Sequence, residues 1–424
     1  MSDKVFTLEV LPARKGDCLL LHYGAKKKPG FAIIDGGPAG VYGPHLKPRL
    51  LQLRAEKKIP DTKPLVADFV MLSHIDDDHV KGLLQLTDEL VAAERTRSFQ
   101  YLKARRLWHN SFDDIVGNTA KELMAAATAS FGTASATGSL SAEVPDDALV
   151  DADTFVAGIM VLAGVEQGFR LRDDAQVLKI PVNADGKGGL VIAVENGAPI
   201  DVGNGLTFTV IGPMRTEVEK LQQKHDEWLA KQQQKPAPNT AALVEYVDRS
   251  VPNLSSLVLL AEVEGKTVLF TGDARGDKIL EGLQLVGLGT ELHVNVLKVP
   301  HHGSANNVEA DFFARVTAEH YVFSGNGEHG NPERETFEML RTARGGDDYR
   351  IHLTYPLDQI DTARKAEWDK KRAAEITGGK KPRPAWSQEK HSLTAFFGGD
   401  PEMAAKIVPL EGNPAHTIDL LGAR

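Results

Sequence analysis

Six residues decide the reading: His74-Ile75-Asp76-Asp77-Asp78-His79. They follow Val66 to Leu72, a mostly apolar run that reads as a strand. They precede Gly82 to Ala93, where Leu83, Leu84, Leu86, Leu90 and Val91 recur at helical spacing. The hexapeptide is therefore a strand-to-helix loop, the place where an α/β framework exposes functional groups in a crevice while holding them rigidly. His74, Asp76 and Asp78 are spaced by two, so an extended turn brings them to one side. Asp78 and His79 then stand where the helix begins. Two imidazoles and three carboxylates packed this closely carry uncompensated like charge unless a cation joins them. Converging nitrogen and oxygen donors are what a divalent metal requires.

Working outward, other strand ends carry the same chemistry. Phe31 to Ile34 runs into Asp35-Gly36-Gly37, where the glycines read as a tight turn. A hairpin, Ser256 to Glu262 and Thr267 to Phe270 around Glu264-Gly265, ends in Thr271-Gly272-Asp273. Val294 to Val299 ends in Pro300-His301-His302-Gly303-Ser304. Val308 to Val316 reads as a helix and Tyr321 to Ser324 as a strand, and Asn331-Pro332 reads as the cap of a helix through Leu340. Strands and helices alternate, so the class is α/β.

The string His74-x-Asp76-x-Asp78-His79 resembles the H-x-H-x-D-H signature of the metallo-β-lactamase superfamily, with Asp in the second place. Asp35-Gly36-Gly37, Thr271-Gly272-Asp273 and Leu297 to Ser304 follow in the expected order. Together with Gly16-Asp17 and Asn253 to Val258, they resemble the metallohydrolase domain of ComEC-type DNA-uptake proteins. The resemblance covers about residues 5–92, 190–213 and 253–355. It implies an αββα sandwich holding two divalent ions, zinc or manganese. His74 and Asp76 would hold one ion. Asp78, His79 and either His301 or His302 would hold the other, strand geometry favouring His301. Asp273 would bridge the two, with Asp35 close by in support. Asp78, Asp273 and His302 would carry catalysis.

Two departures from the family pattern stand out. Asp76 replaces a common His, which hardens the first site towards manganese or iron. The family often places a further histidine between signature and bridging Asp, and nothing here matches it, although Asn253 falls where ComEC-like sequences have Asn. His109, after the probable strand ending at Trp108, is expected near the site mouth. Ser304 and Asn326 are candidates for substrate contact, and Lys298 for help at the leaving group. Arg364 to Arg383 holds eight basic residues against three acids, with Trp368 and Trp386 interleaved. That composition suits either a phosphate backbone or a solvated helix.

Composition sets the bounds. The 424 residues, 42% hydrophobic and 25% charged, describe an ordinary globular chain. We expect one domain with insertions at about 95–190, 214–252 and 358–390, the second of them Gln-rich. A net charge of -9 excludes a generally basic surface that coats nucleic acid, without excluding a local groove. No membrane span and no secretory leader are expected. The single cysteine, Cys18, reads as a core thiol and suits a reducing cytoplasm. Two cations a few ångströms apart would lower the pKa of a bridging water towards neutrality, giving hydroxide without a separate base. The leading expectation is a phosphodiesterase or nuclease acting on DNA or another phosphodiester. The rivals are a hydrolase of small esters, thioesters, lactones or lactams, and a non-catalytic metal-bearing module of a larger assembly. Protein partners and oligomeric state stay open.

Overall fold

The computed structural model describes residues 2–110, 166–185, 189–220, 222–223, 227, 256–410 and 415–422. The first half supplies β1 (Lys4–Val10), β2 (Leu19–Ala25), β3 (Gly30–Ile34), β4 (Leu65–Ala67), β5 (Phe69–Met71), β6 (Leu102–Ala104) and β7 (Leu107–Trp108). The second supplies β8 (Ile200–Gly203), β9 (Leu206–Gly212), β10 (Val258–Val263), β11 (Lys266–Phe270), β12 (Leu292–Lys298), β13 (Val316–Phe323) and β14 (Arg350–Leu353). A last strand, β15 (His416–Asp419), returns to the first sheet. One six-stranded sheet runs β15-β1-β2-β3-β5-β7, and a seven-stranded sheet runs β14-β13-β12-β11-β10-β9-β8. Each is antiparallel on one side and parallel on the other.

The alternation of side chains explains the layering. Phe6, Leu8 and Val10 of β1, with Leu19, Leu21 and Tyr23 of β2, pack against Phe208, Leu259, Val268 and Phe270 of the other sheet. The opposite faces are buried as well. Leu20 and Ile33 meet helices α1 (Lys47–Glu56) and α2 (Asp77–Thr96), with Cys18 among them. Leu269, Leu297 and Tyr321 meet α3 (Gly276–Leu285), α4 (Ala310–Arg315) and α5 (Arg334–Arg344). Strands buried on both faces read as unbroken apolar runs, as these do. The result is the αββα order that the resemblance implies. Among the described residues, no helix is long and apolar enough to cross a membrane.

Local differences from the sequence reading have physical causes. The run 66–72 is two strands in two sheets, broken at Asp68, whose carboxylate takes Arg105 at 2.8 Å. Asn331 is not a helix cap: α5 starts after Glu333, and the Asn331 amide donates instead to the His301 carbonyl at 3.3 Å. Segment 364–383 lies largely on α6 (Leu357–Thr377), and its tryptophans are engaged in packing. Trp368 stacks on His391 at 4.3 Å and donates to the Pro384 carbonyl. The Gln-rich stretch lies almost wholly outside the described residues.

Three histidines connect β13 and β14 of one sheet to β15 of the other. His320 Nδ1 on β13 lies 2.8 Å from His352 Nε2 on β14, and His352 Nδ1 lies 2.5 Å from His416 Nε2 on β15. Burial, with His416, His320 and Arg350 around it, pushes the His352 pKa down to about 2. The folded chain therefore holds His352 neutral while the unfolded chain protonates it below its ordinary pKa of about 6.5. Its contribution is fully present above that pH and declines as pH falls below it, by up to about 1.4 kcal/mol per pH unit. In urea unfolding between pH 7.5 and 5, His352→Leu should lose less stability with acid than the wild type does, the difference growing below about pH 6.5. An unchanged slope would contradict the assignment.

Candidate metal centre

The hexapeptide loop lands at the end of β5, and α2 begins inside it at Asp77. Asp76 stays extended, so the chain turns from strand to helix between two acidic side chains. Two close backbone approaches fix this turn. A Cβ on Gly82 of α2 would sit 1.8 Å from the Gly36 carbonyl oxygen, and one on Gly16 would sit 1.8 Å from the Asp78 carbonyl oxygen. Only glycine permits either contact. They clamp the β1–β2 and β3 loops against the start of α2. The second sheet joins through a hydrogen bond from Leu257 N to Ser73 O at 2.9 Å, and within it His301 N donates to Gly272 O at 3.1 Å, tying the loops after β11 and β12.

Asp273 lies at the centre, and each of its oxygens faces two imidazoles. Oδ1 is 3.4 Å from His79 Nε2 and 3.5 Å from His302 Nε2. Oδ2 is 3.5 Å from both His74 Nε2 and His301 Nε2. His79 and His302 also bring their Nε2 atoms within 3.2 Å of each other. Asp76 Oδ2 stands 3.6 Å from His74 Nε2, and donor atoms of Asp78, His74 and His79 all lie within 4.8 Å of one another. Buried His74 Nε2 and Asp273 Oδ1 make no hydrogen bond. Two ligands at about 2.0 Å from a tetrahedral cation stand about 3.3 Å apart. The spacings, the orphaned atoms and the mixed N/O donor set all fit divalent metal.

A second layer of polar contacts aims these donors. Asp35, itself at φ +56°, accepts from Ser73 N and Oγ, both at 2.7 Å, and meets His79 Nδ1 at 2.8 Å. Asp17 accepts from Lys298 Nζ at 2.8 Å and from the Ser324 hydroxyl, with His302 Nδ1 3.4 Å away. The Asn307 amide oxygen lies 2.8 Å from His301 Nδ1, and its Nδ2 donates to the Asp273 carbonyl at 3.1 Å. His301 and His302 both adopt positive φ, 48° and 54°, which turns two consecutive rings into one crevice. Such carboxylate- or carbonyl-backed imidazoles are the usual support of metal ligands.

The titration of the cluster reflects its charge. Burial opposes ionisation of Asp273 and Asp17, but the surrounding imidazoles, and Lys298 for Asp17, hold both carboxyls well below the usual range. Burial and His79 oppose protonation of His74, yet Asp273 and Asp76 outweigh them and raise its pKa to about 9. Burial likewise opposes a charged His79, while Asp273 and Asp35 raise it. His74 and His79 thus act as counter-ions to a surplus of buried carboxylate, a role that a metal cation would fill by displacing their protons.

His74, Asp76, Asp78, His79, Asp273, His301 and His302 come together here. Strand position favoured His301 over its neighbour, yet both rings face Asp273, and His302 is the more enclosed, its side chain 1% exposed against 32% for His301. Lys298 is buried against Asp17, its Nζ held by that carboxylate and by the Val299 carbonyl, so it is a counter-ion within the wall. Ser304 binds Glu333 at 3.3 Å, and Asn326 closes its own turn onto Glu328. His109 is fully buried, neither ring nitrogen hydrogen-bonded among the described residues, and burial with Arg172 lowers its pKa to about 3. Asn253 lies outside the described residues. The sequence reading gave no role to Asp17, Ser73, Asn307 or Ser324. Asp17 is the legible one, because Gly16-Asp17 belongs to the motifs that carry the resemblance.

No protein-family model matches the chain. Among curated proteins, microtubule-associated protein 1A of Rattus norvegicus is 33% identical over 85 residues, which is 19% of this chain and 3% of that protein. The chain thus spans a very small part of that relative's length. Among solved structures, the Zn(2+)-bound PqqB from Methylobacterium extorquens covers 86% of this chain and 95% of its own, at 10% identity and a TM-score of 0.31. That likeness is distant, and the fold described above rests on the chain's own sheet order.

Removing Lys298 leaves Asp17 buried without its cation. Lys298→Met should cost about 3–5 kcal/mol in the metal-free protein, and adding Asp17→Asn should recover part of it. Urea titration of the single and double variants measures both, and strictly additive losses would contradict the pairing.

Proposed function

We propose that this chain is a metal-dependent hydrolase of phosphodiesters, working with two divalent cations. The observation that carries the reading is the division of imidazoles about Asp273, one oxygen facing His79 and His302 and the other facing His74 and His301. Asp273 would bridge the two ions. His79, His302 and Asp78 would complete one site, and His74, His301 and Asp76 the other. When bound, such a pair supplies an activated water at neutral pH and positive charge for an anionic transition state.

The protein's own part is positioning. Asp35 and Asp17 back His79 and His302 and present their Nε2 atoms inward. Ser73 holds Asp35, and its hydroxyl also meets His74 Nδ1 at 3.0 Å, so one hydroxyl links the backing of both halves. His301, a third exposed, marks where the crevice opens and substrate enters. The rim beyond it is polar and carries basic side chains, which favours a phosphodiester over a neutral lactam or thioester.

Metal-loaded protein should hydrolyse a generic phosphodiester or single-stranded DNA and leave a lactam nearly untouched. Manganese should serve at least as well as zinc, because Asp76 adds a hard oxygen donor. Asp78→Asn and His302→Ala should each lower turnover by roughly 100-fold or more with the circular dichroism spectrum unchanged. Efficient cleavage of a thioester or lactam, with no phosphodiester cleaved, would overturn the substrate class. Activity surviving both substitutions would point to a contaminating enzyme.

A further inference from the structure

The metal donors do not account for the cleft beside them. About 580 Å³ of space opens from His301 and Ser304 and runs along α6. One wall of it gathers basic groups from three separate parts of the chain. Lys15 Nζ lies 2.9 Å from His329 Nε2, and Lys371 Nζ on α6 reaches the His329 carbonyl at 3.5 Å. Lysine has no acceptor, so it donates to His329 Nε2 and leaves the ring proton on Nδ1 as a further donor. Burial, helped by Lys15 and Lys371, keeps the His329 pKa low despite the Asp78 and Glu367 carboxylates, so the ring stays neutral.

This corner is held rigidly and tied to the metal centre. The Arg14 guanidinium grips both Glu328 oxygens, which pins Lys15 against the 328–330 turn. Arg364 Nε donates to the Gly330 carbonyl at 3.1 Å. Lys15 is followed directly by Gly16, pressed on the Asp78 carbonyl, and by Asp17, which backs His302. The acids nearby are mostly engaged: Glu328 by Arg14 and Asn326, Glu333 by Ser304 and the Ala305 amide. Gathering the ammonium groups of Lys15 and Lys371 around a neutral imidazole donor, with Glu335 and Glu367 as the other acids on the cleft, costs Coulomb energy that a bound anion would offset.

We propose that Lys15, His329 and Lys371 form an anion subsite that receives a second phosphate of the substrate, displaced along the cleft from the phosphorus being attacked. The assignment rests on the phosphodiester reading and narrows it to substrates with two phosphates. A neighbouring phosphate of a polymer and the terminal phosphate of a small molecule present the same chemistry here. Either meets the same three donors. Charge-assisted contacts of this kind select strongly for ligands that carry the matching group.

The experiment compares wild type, Lys15→Ala, Lys371→Ala and the double variant, metal-loaded, on three substrates. These are bis(p-nitrophenyl) phosphate, a short single-stranded oligonucleotide, and a dinucleotide bearing a terminal phosphate. The ratio of kcat/KM for a two-phosphate substrate to that for the single-phosphate diester should fall about 10-fold or more in the double variant, through KM. Lys15→Arg should restore most of it. Loss with the oligonucleotide alone identifies a polymer phosphate, and loss with the dinucleotide alone identifies a terminal one. An unchanged ratio for both overturns the subsite. Pyrophosphate binding to the metal-free protein, followed by calorimetry, tests the subsite apart from turnover. Binding that weakens about 10-fold in the double variant supports the subsite even if no phosphodiester is cleaved, whereas equal binding in wild type and variant, or none at millimolar pyrophosphate, overturns it.

Discussion

Everything in this structure is arranged around one electrostatic problem, the burial of a carboxylate, Asp273, among four imidazoles with further carboxylates behind them. Ionised groups out of water need partners of opposite sign or they neutralise. Without metal, His74 and His79 supply positive charge, both with raised pKa, and His74, at about 9, records how strongly the pocket calls for it. A fold that merely needed stability would fill this volume with apolar side chains. Retaining the charges at the ends of central strands, where hydrophobic layers enclose them, is the mark of a binding function.

The sandwich answers that problem by geometry. Parallel strands β3 and β5 of one sheet, and β11 and β12 of the other, end at the site: β5 delivers His74, Asp76, Asp78 and His79, β11 delivers Asp273, β12 delivers His301 and His302, and β3 brings Asp35 behind them. Glycines at 16, 36 and 82 let those loops touch backbone to backbone, so donors far apart in sequence are held without long side chains spanning gaps. Asp17, Asp35, Ser73 and Asn307 then set ring orientation. Rigidity of this kind gives a metal site its selectivity, because ligands held in place cannot relax around a wrongly sized ion.

Much of this was legible in the sequence, for definite reasons. The hexapeptide, Asp35, Asp273 and the His301-His302 pair all follow apolar runs, and a strand end is the part of an α/β chain whose position composition constrains best. Roles decided by pairing across the fold were not legible. Lys298 looks like a catalytic amine in a linear string, yet it sits 2.8 Å from Asp17, some 280 residues distant in the chain. Asn326 follows a strand as a substrate contact would, but its amide finds Glu328 two residues away. The choice between His301 and His302 depended on two successive positive φ values that no side-chain pattern announces. The Trp-flanked basic segment divides similarly: Trp368, Arg372 and Arg383 hold α6 to the chain that follows it, while Lys371 turns to the cleft.

The most direct test is a crystal structure of the metal-loaded protein, with anomalous scattering recorded above and below the absorption edge of the added ion. The account requires anomalous peaks on both sides of Asp273, one within bonding distance of His79 and His302 and the other of His74 and His301. Strong scattering elsewhere on the molecule, with His79, His302 and Asp273 still in mutual contact and no ion between them, would contradict it.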